Sequence, residues 1–226
     1  MIEGIVFDMD GVLIDSHPVH RVAWRKFLAS VGRDVPENDL DFILEGRRRE
    51  EILRHFLGDL SDSEIAEYGR LKDRFSEEHF KDVKLTPGLR EFLATLETLG
   101  LEMGVATSAG PSRTWGTLRR FGLDAQFSAV VTAADVVAGK PDPAVYSLVA
   151  QRMKISPDKL LVIEDAPGGV KAAKSAGMRC IGLSAIGRAD MLLQSGAEFV
   201  VRDFFELSEA RLLELGAVLP VTPKVG

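Results

Sequence analysis

The chain has 226 residues, 46% of them apolar and 27% charged, with a net charge of −6. This is ordinary for a globular protein with a sizeable core, and the acidic balance argues against nucleic-acid binding. A single cysteine, Cys180, excludes an internal disulfide and a cysteine-built zinc cluster, and no apolar run approaches membrane-spanning length.

The N-terminus reads Met1-Ile2-Glu3-Gly4, with no basic segment ahead of an apolar one. No secretory signal is expected, and the cytoplasm is the expected location. Gly4-Ile5-Val6-Phe7 is short, apolar and β-prone, as a buried parallel strand would be. Asp8, Met9, Asp10 and Gly11 follow it directly. Residues two apart in extended chain share a side, so both carboxylates can converge on one cation or one substrate group. Gly11 lets the chain turn without a Cβ clash. A polar turn that happens to hold two acids is the plain alternative.

Residues 16–82 read as helix after helix, with no strand signal. Val19, Ala23, Phe27 and Val31 recur at helical spacing, with Pro18 in the first turn and Gly32 at the end. Arg47-Arg48-Arg49, followed by Glu50 and Glu51, reads on charge alone as a solvated helix start. Ser61 and Glu64 have capping-box spacing and open a long helix toward Phe80.

Strand and helix then alternate. Pro87 to Leu99 carries Leu89, Phe92, Leu93, Leu96 and Leu99 on one face, with Gly100 as cap. The strand Leu101 to Ala106 ends at Thr107 and Ser108. A hydroxyl and free N–H groups there can hold phosphate oxygens, or they can simply cap the helix Pro111 to Phe121. After the strand Ala129-Val130-Val131 comes Lys140, between Gly139 and Pro141. It is either solvated or placed to offset charge on a nucleophile. A helix from Pro143 to Met153 precedes the strand Leu160 to Ile163, which ends at Glu164 and Asp165, just before Gly168-Gly169. These acids either decorate a helix start or join the first pair. The helix Gly168 to Ala176, the strand Arg179 to Leu183 (with Cys180 as a core residue) and the strand Phe199 to Val201 complete the pattern.

Strands separated by helices of this length imply βαβ units and an α/β fold with a doubly wound parallel sheet. Such sheets bind ligands beyond the carboxyl ends of their strands. Four carboxylates gathered at that edge would repel one another without a cation. Mg2+ suits them, because it takes a few carboxylates and keeps waters for a phosphate.

The order Asp-x-Asp-Gly, Thr-Ser, Lys-Pro and Glu-Asp, each after the expected strand, resembles the haloacid dehalogenase superfamily over nearly the whole chain. It is most similar to the branch with a helical cap after the first strand, which holds sugar-phosphate phosphatases and β-phosphoglucomutase-like enzymes. The resemblance implies a catalytic core of residues 1–15 and 83–226 and a cap of residues 16–82. It implies that Asp8 is the nucleophile, forming an aspartyl-phosphate, and Asp10 the general acid and base. Thr107 would bind phosphoryl oxygens and Lys140 would orient Asp8. Mg2+ would sit on Asp8, the backbone carbonyl of Asp10 and Asp165, with Glu164 ligating directly or through water.

Ser16, His20, Gly46, Arg49 and Ser108 are the expected substrate-binding residues, although His20 and Arg49 fit solvated surface positions as well. Lys72 matches a cap position often basic in this branch. The expected partner is a small phosphorylated metabolite, a sugar or polyol phosphate, with neither nucleic acid nor membrane. The oligomeric state is open and compatible with a monomer. The expected activity is phosphomonoester hydrolysis. A β-phosphoglucomutase-type transfer is the runner-up, and a noncatalytic binding protein on the same fold stands third. Mutase-like relatives tend to carry a hydroxyl and a Lys where this chain has Ala109 and Gly110, which favours water as the acceptor.

Overall fold

The computed structural model describes residues 1–185 and 187–217. Residues 186 and 218–226 of the expected core lie outside them. Six strands form one parallel sheet: β1 (Gly4–Phe7), β4 (Glu102–Ala106), β5 (Ala129–Val131), β6 (Leu160–Glu164), β7 (Arg179–Leu183) and β8 (Val200–Val201). Their spatial order is β5-β4-β1-β6-β7-β8. β1 is therefore central, with β4 on one side and β6 on the other. Later strands extend each wing, and the chain switches direction beside β1, which is where a doubly wound sheet opens a crevice.

The helices α4 (Leu89–Thr98), α5 (Pro111–Phe121), α6 (Ala144–Met153), α7 (Pro167–Ser175), α8 (Ala189–Gln194) and α9 (Glu209–Glu214) flank the sheet. Each face of β1 feeds a different apolar cluster. Ile5 and Phe7 point into one with Leu93, Val105 and Ile163. Val6 points into the other with Tyr146, Val162 and Val170. Burial on both faces explains why the strands read as continuous apolar runs. Phe7 is fully buried and meets Phe92, Phe127 and Phe204 with ring centroids 6.0–6.2 Å apart. Truncating such an anchor to Ala costs about 3–5 kcal/mol.

Between β1 and β4 the chain leaves the sheet. It passes through β2 (Ile14–Asp15), then α1 (His17–Ser30), α2 (Arg49–Leu57) and α3 (Asp62–Phe80), and returns through β3 (Lys84–Leu85). The three helices enclose their own cluster, built on Trp24, Phe27, Leu28, Leu40 and Leu53. Ser61 caps α3 with Glu64 as the spacing predicts. Two features carried no sequence signal. A 3-10 segment runs over Glu37–Leu44, and β2 pairs antiparallel with β3 through Ile14↔Leu85 and Asp15↔Lys84. Strands of two residues are too short to show periodicity. No helix among the described residues is long and apolar enough to cross a membrane.

Candidate active site

The sheet register brings the expected residues together. Phe7 is level with Val105 on one side and Ile163 on the other. The Asp8 N–H still donates to the Ile163 carbonyl at 3.1 Å, and the Thr107 N–H to Val131 at 3.0 Å. Both side chains thus leave the last rung of the ladder at one edge, beside Glu164 and Asp165.

Carboxylate oxygens of Asp8, Glu164 and Asp165 lie within 4.8 Å of one another, and all three residues are buried. Lys140 reaches into this knot. Its Nζ donates to Asp8 Oδ1 at 2.7 Å, to Glu164 Oε1 at 2.5 Å and to the Ala106 carbonyl at 3.2 Å. Burial opposes a charged Lys140, but Asp8 and Glu164 hold its ammonium above the usual lysine range. Burial also pushes Asp8 well above the usual carboxylate range. Lys140 counters that shift, while Glu164 and Asp165 add to it. Asp165 is raised as well, by burial first, against the pull of His17. Crowded, desolvated carboxylates of this kind form a hard oxygen-donor set, which fits a small divalent cation.

Glu164 is saturated within the protein. Oε1 accepts from Lys140 and from the Tyr146 hydroxyl at 2.8 Å, and Oε2 accepts from the N–H groups of Asp165 (2.9 Å) and Ala166 (3.0 Å). Asp165 Oδ2 meets only His17 Nε2, at 2.6 Å, in the ion pairs described. Two glycines make room. Gly11 has φ +74°, and a Cβ there would run into Asp165 and His17. A Cβ on Gly169 would overlap the Glu164 carboxylate.

The Asp10 side chain turns away from that knot. Its Oδ1 accepts from Ser16 Oγ at 2.6 Å, lies 3.1 Å from His20 Nε2, and is also held by Arg113. Burial raises the Asp10 carboxyl, but Arg113 and then His20 outweigh it and hold the group well below the usual range. Burial pushes His20 down to about 4 despite Asp10, so its ring is neutral near pH 7. Ser16 and His20 therefore join the site, and His20 is not a free surface residue.

The remaining expected residues line the rim. Thr107 is buried and its Oγ1 accepts from the Ala109 N–H at 3.1 Å. Ser108 Oγ donates to the Gly46 carbonyl at 2.9 Å, which ties the helical segment to the sheet. Arg49 pairs with Asp73 at 2.7 Å and lines the central cavity of about 930 Å³ together with Asp8, Lys72, Thr107 and Arg113.

The solvated reading of the arginine triplet fails at Arg48. Its guanidinium donates to the carbonyls of Val137 (2.7 Å), Ala133 (3.1 Å) and Val136 (2.6 Å), across the boundary between helical segment and core. A Cβ on Gly139 would strike the Arg48 side chain, so Arg48 packs directly on the residue before Lys140. The planar fork of Nη1 and Nη2 matches these three carbonyls, while Nε is buried without a partner among the described residues. Arg188 adds a second tie, donating to the Leu44 carbonyl at 2.8 Å.

The sequence reading missed His17, Arg113, Tyr146, Arg48 and Arg188. One signal was present for Arg113: it stands in the first turn of α5, where the helix dipole disfavours a cation.

A family model described as haloacid dehalogenase-like hydrolase matches residues 5–183. A phosphorylated carbohydrates phosphatase of Thermotoga maritima is 35% identical over 206 residues, covering 88% of this chain and 94% of the relative. The beta-phosphoglucomutase of Bacillus subtilis is 32% identical over 216 residues, covering 91% and 92%. Among solved structures, a beta-phosphoglucomutase of Clostridium difficile superposes with a TM-score of 0.84 at 25% identity, covering 95% of this chain and 96% of that one. With the strand-end carboxylates and the buried lysine in place, this extent of agreement makes the chain a member of the haloacid dehalogenase-like hydrolase family.

Proposed function

We propose that this phosphatase of the haloacid dehalogenase-like family is a Mg2+-dependent phosphomonoesterase acting on a small phosphorylated sugar or polyol through an aspartyl-phosphate on Asp8. The observation that supports it most is the contact of Lys140 with Asp8 inside a knot of three buried carboxylates. In this reading residues 16–82 form the cap over the site, and residues 1–15 and 83–226 the core.

Asp8 attacks phosphorus while Lys140 holds its carboxylate in line and neutralises charge building on the oxygens. Thr107 binds phosphoryl oxygens. Asp10 takes a proton from the water that hydrolyses the acyl phosphate and gives it to the leaving oxygen of the next turnover, a protonated form that Arg113 and His20 disfavour while they hold the carboxylate. Ser16 and His20 orient Asp10. Gly46, Arg49 and Ser108 shape the substrate side of the cavity. Mg2+ would be held by Asp8, the Asp10 backbone carbonyl and Asp165, with Glu164 beside it, and it supplies charge neutralisation at the phosphoryl group.

A phosphohexomutase is the second reading, favoured by the likeness to beta-phosphoglucomutases. Ala109 and Gly110 weigh against it, since neither offers a side-chain donor for a second phosphate beside Thr107. Incubating β-glucose 1-phosphate with Mg2+ and a trace of bisphosphate separates the two. Free phosphate from this ester and from sugar monophosphates is the expected result. Rapid conversion to glucose 6-phosphate with little phosphate release would make the enzyme a mutase.

A further inference from the structure

Arg48 stands apart from its neighbours in sequence. Arg47 and Arg49 line the central cavity, and Arg48 between them does not. It turns instead to the loop that joins β5 to α6. That loop carries Lys140, so whatever holds it bears on the ammonium at the Asp8 carboxylate.

Both ends of the loop have anchors of their own. Asp135 Oδ2 accepts from the Thr132 N–H at 2.8 Å and hydroxyl at 2.7 Å, and Arg152 donates to its Oδ1 at 2.5 Å. At the far end the Asp142 N–H donates to the Gly139 carbonyl at 2.9 Å. The stretch between has little else. Among the described residues, the carbonyls of Val136 and Val137 accept from Arg48 alone, and Val137 and Ala138 make no other backbone hydrogen bond. Val136 gives one apolar contact with the core, whereas the Val137 side chain is 99% exposed. A Cβ on Gly139 would stand 2.7 Å from Arg48 Cγ and Nε. The φ of Gly139 lies outside the left-handed region, so the arginine stem, not the backbone, calls for glycine there. A segment with so few contacts opens easily once its one clamp is gone.

We infer that Arg48 is a positioning residue for the reaction: by fixing residues 136–139 it sets where the Lys140 side chain enters the carboxylate knot. This role rests on the phosphatase reading of the site. Arg48 touches neither substrate nor the reacting atoms, and it acts through the backbone that leads into Lys140. Because it belongs to the helical segment, the lysine is fully placed only while that segment rests on the β5–α6 loop.

The test measures kcat and KM for an aryl phosphate and for glucose 6-phosphate in Arg48→Met, which keeps the stem and removes the fork. For both esters kcat is expected to fall by about tenfold or more, the scale of a small misplacement at the reacting centre. KM stays within about twofold, because the lysine serves every phosphoryl group whereas a substrate contact would serve one ester. Arg48→Lys keeps one charged donor and restores part of kcat. Gly139→Ala drives a methyl group into the stem and lowers kcat likewise, and in the Arg48→Ala background, where the stem is absent, it costs little more. An unchanged kcat in Arg48→Met, a loss confined to KM for the sugar phosphate, or additive losses in the Gly139 and Arg48 pair overturns the assignment. A second readout needs no turnover. Lys140 is buried, and its labelling by a small acylating reagent, followed by mass spectrometry, is expected to be slow in the wild type and several-fold faster in Arg48→Met. Should the wild type hydrolyse neither ester, the phosphatase reading falls and this labelling decides alone: faster labelling upholds the clamp on Lys140, and unchanged labelling removes it.

Discussion

Lys140 Nζ lies 2.5 Å from Glu164 Oε1, and both side chains are buried. The same ammonium reaches Asp8 at 2.7 Å, so one cation compensates two buried carboxylates. Lys140→Met leaves both uncompensated. The expected loss of stability is about 3–5 kcal/mol, together with loss of turnover. Adding Glu164→Gln restores part of the stability, because one of the stranded charges is gone. Denaturant unfolding of the single and double variants checks this. Independent, additive losses would show that the two side chains do not act as a pair.

Asp8→Asn keeps the size of the side chain and removes its charge. Phosphate release and covalent labelling by phosphoryl donors are both expected to vanish. Residual activity within about tenfold of wild type, only ~1.4 kcal/mol of barrier, would end the aspartyl-phosphate mechanism.

Chelation is expected to stop turnover and Mg2+ to restore it. Asp165→Ala raises the Mg2+ requirement more than Glu164→Gln does. The reason is in the contacts: Glu164 is saturated by Lys140, Tyr146 and two backbone N–H groups, whereas Asp165 forms an ion pair with His17 alone among the described residues. Mg2+ titration of both variants decides it, and the reverse order would count against Asp165 as the principal ligand.

Lys72 makes stability depend on pH. Its ammonium titrates near 7 in the fold and near 10.5 in the unfolded chain. Between those values the unfolded chain binds more protons, so stability rises with pH across that window. Arg113, Asp73, Asp10 and Arg49 face the group, and His20 lies nearby. Lys72→Met is expected to raise Tm most below pH 7, where the cost of the buried ammonium is present in full. The gain shrinks as pH approaches 10. Each kcal/mol corresponds to about 2–4 °C in a chain of this size. A difference in Tm that stays constant from pH 6 to 10 would contradict it.

Arg48→Ala removes three donors from the carbonyls of Ala133, Val136 and Val137. Faster amide exchange over residues 132–140 and weaker substrate turnover are expected, with little change over α4. Unchanged exchange in that loop would show that the contact does not order it.

The fold was largely legible because buried parallel strands leave long apolar runs, and helices between them end at Gly100, Gly122 and Gly177. The strand-end carboxylates were legible for the same reason, since each follows its strand directly. What could not be read was pairing across distance. His17 meets Asp165, and Arg113 meets Asp10 across 103 residues of sequence. Local charge misled at Arg48, where the acids that follow it suggest a solvated helix start; the helix does start there, but the fold supplies carbonyls from residues 85–89 positions away. Tyr146 gave only the pattern of a core aromatic, because its hydroxyl partner Glu164 lies on another element.

The ribbon of β2 and β3 has a mechanical consequence. Both chain crossings between helical segment and sheet run through it, and they are hydrogen-bonded to each other through Ile14↔Leu85 and Asp15↔Lys84. Two separate tethers would let the lobe drift and twist independently at each attachment. A single paired strap leaves rotation about one axis as the easy motion. In the proposed reading of residues 16–82 as a cap, closure would then be a swing along a fixed arc rather than a search. Arg48, Ser108 and Arg188 all meet their partners across that same boundary, and a hinge with one axis would leave little further orientational freedom to remove as they do.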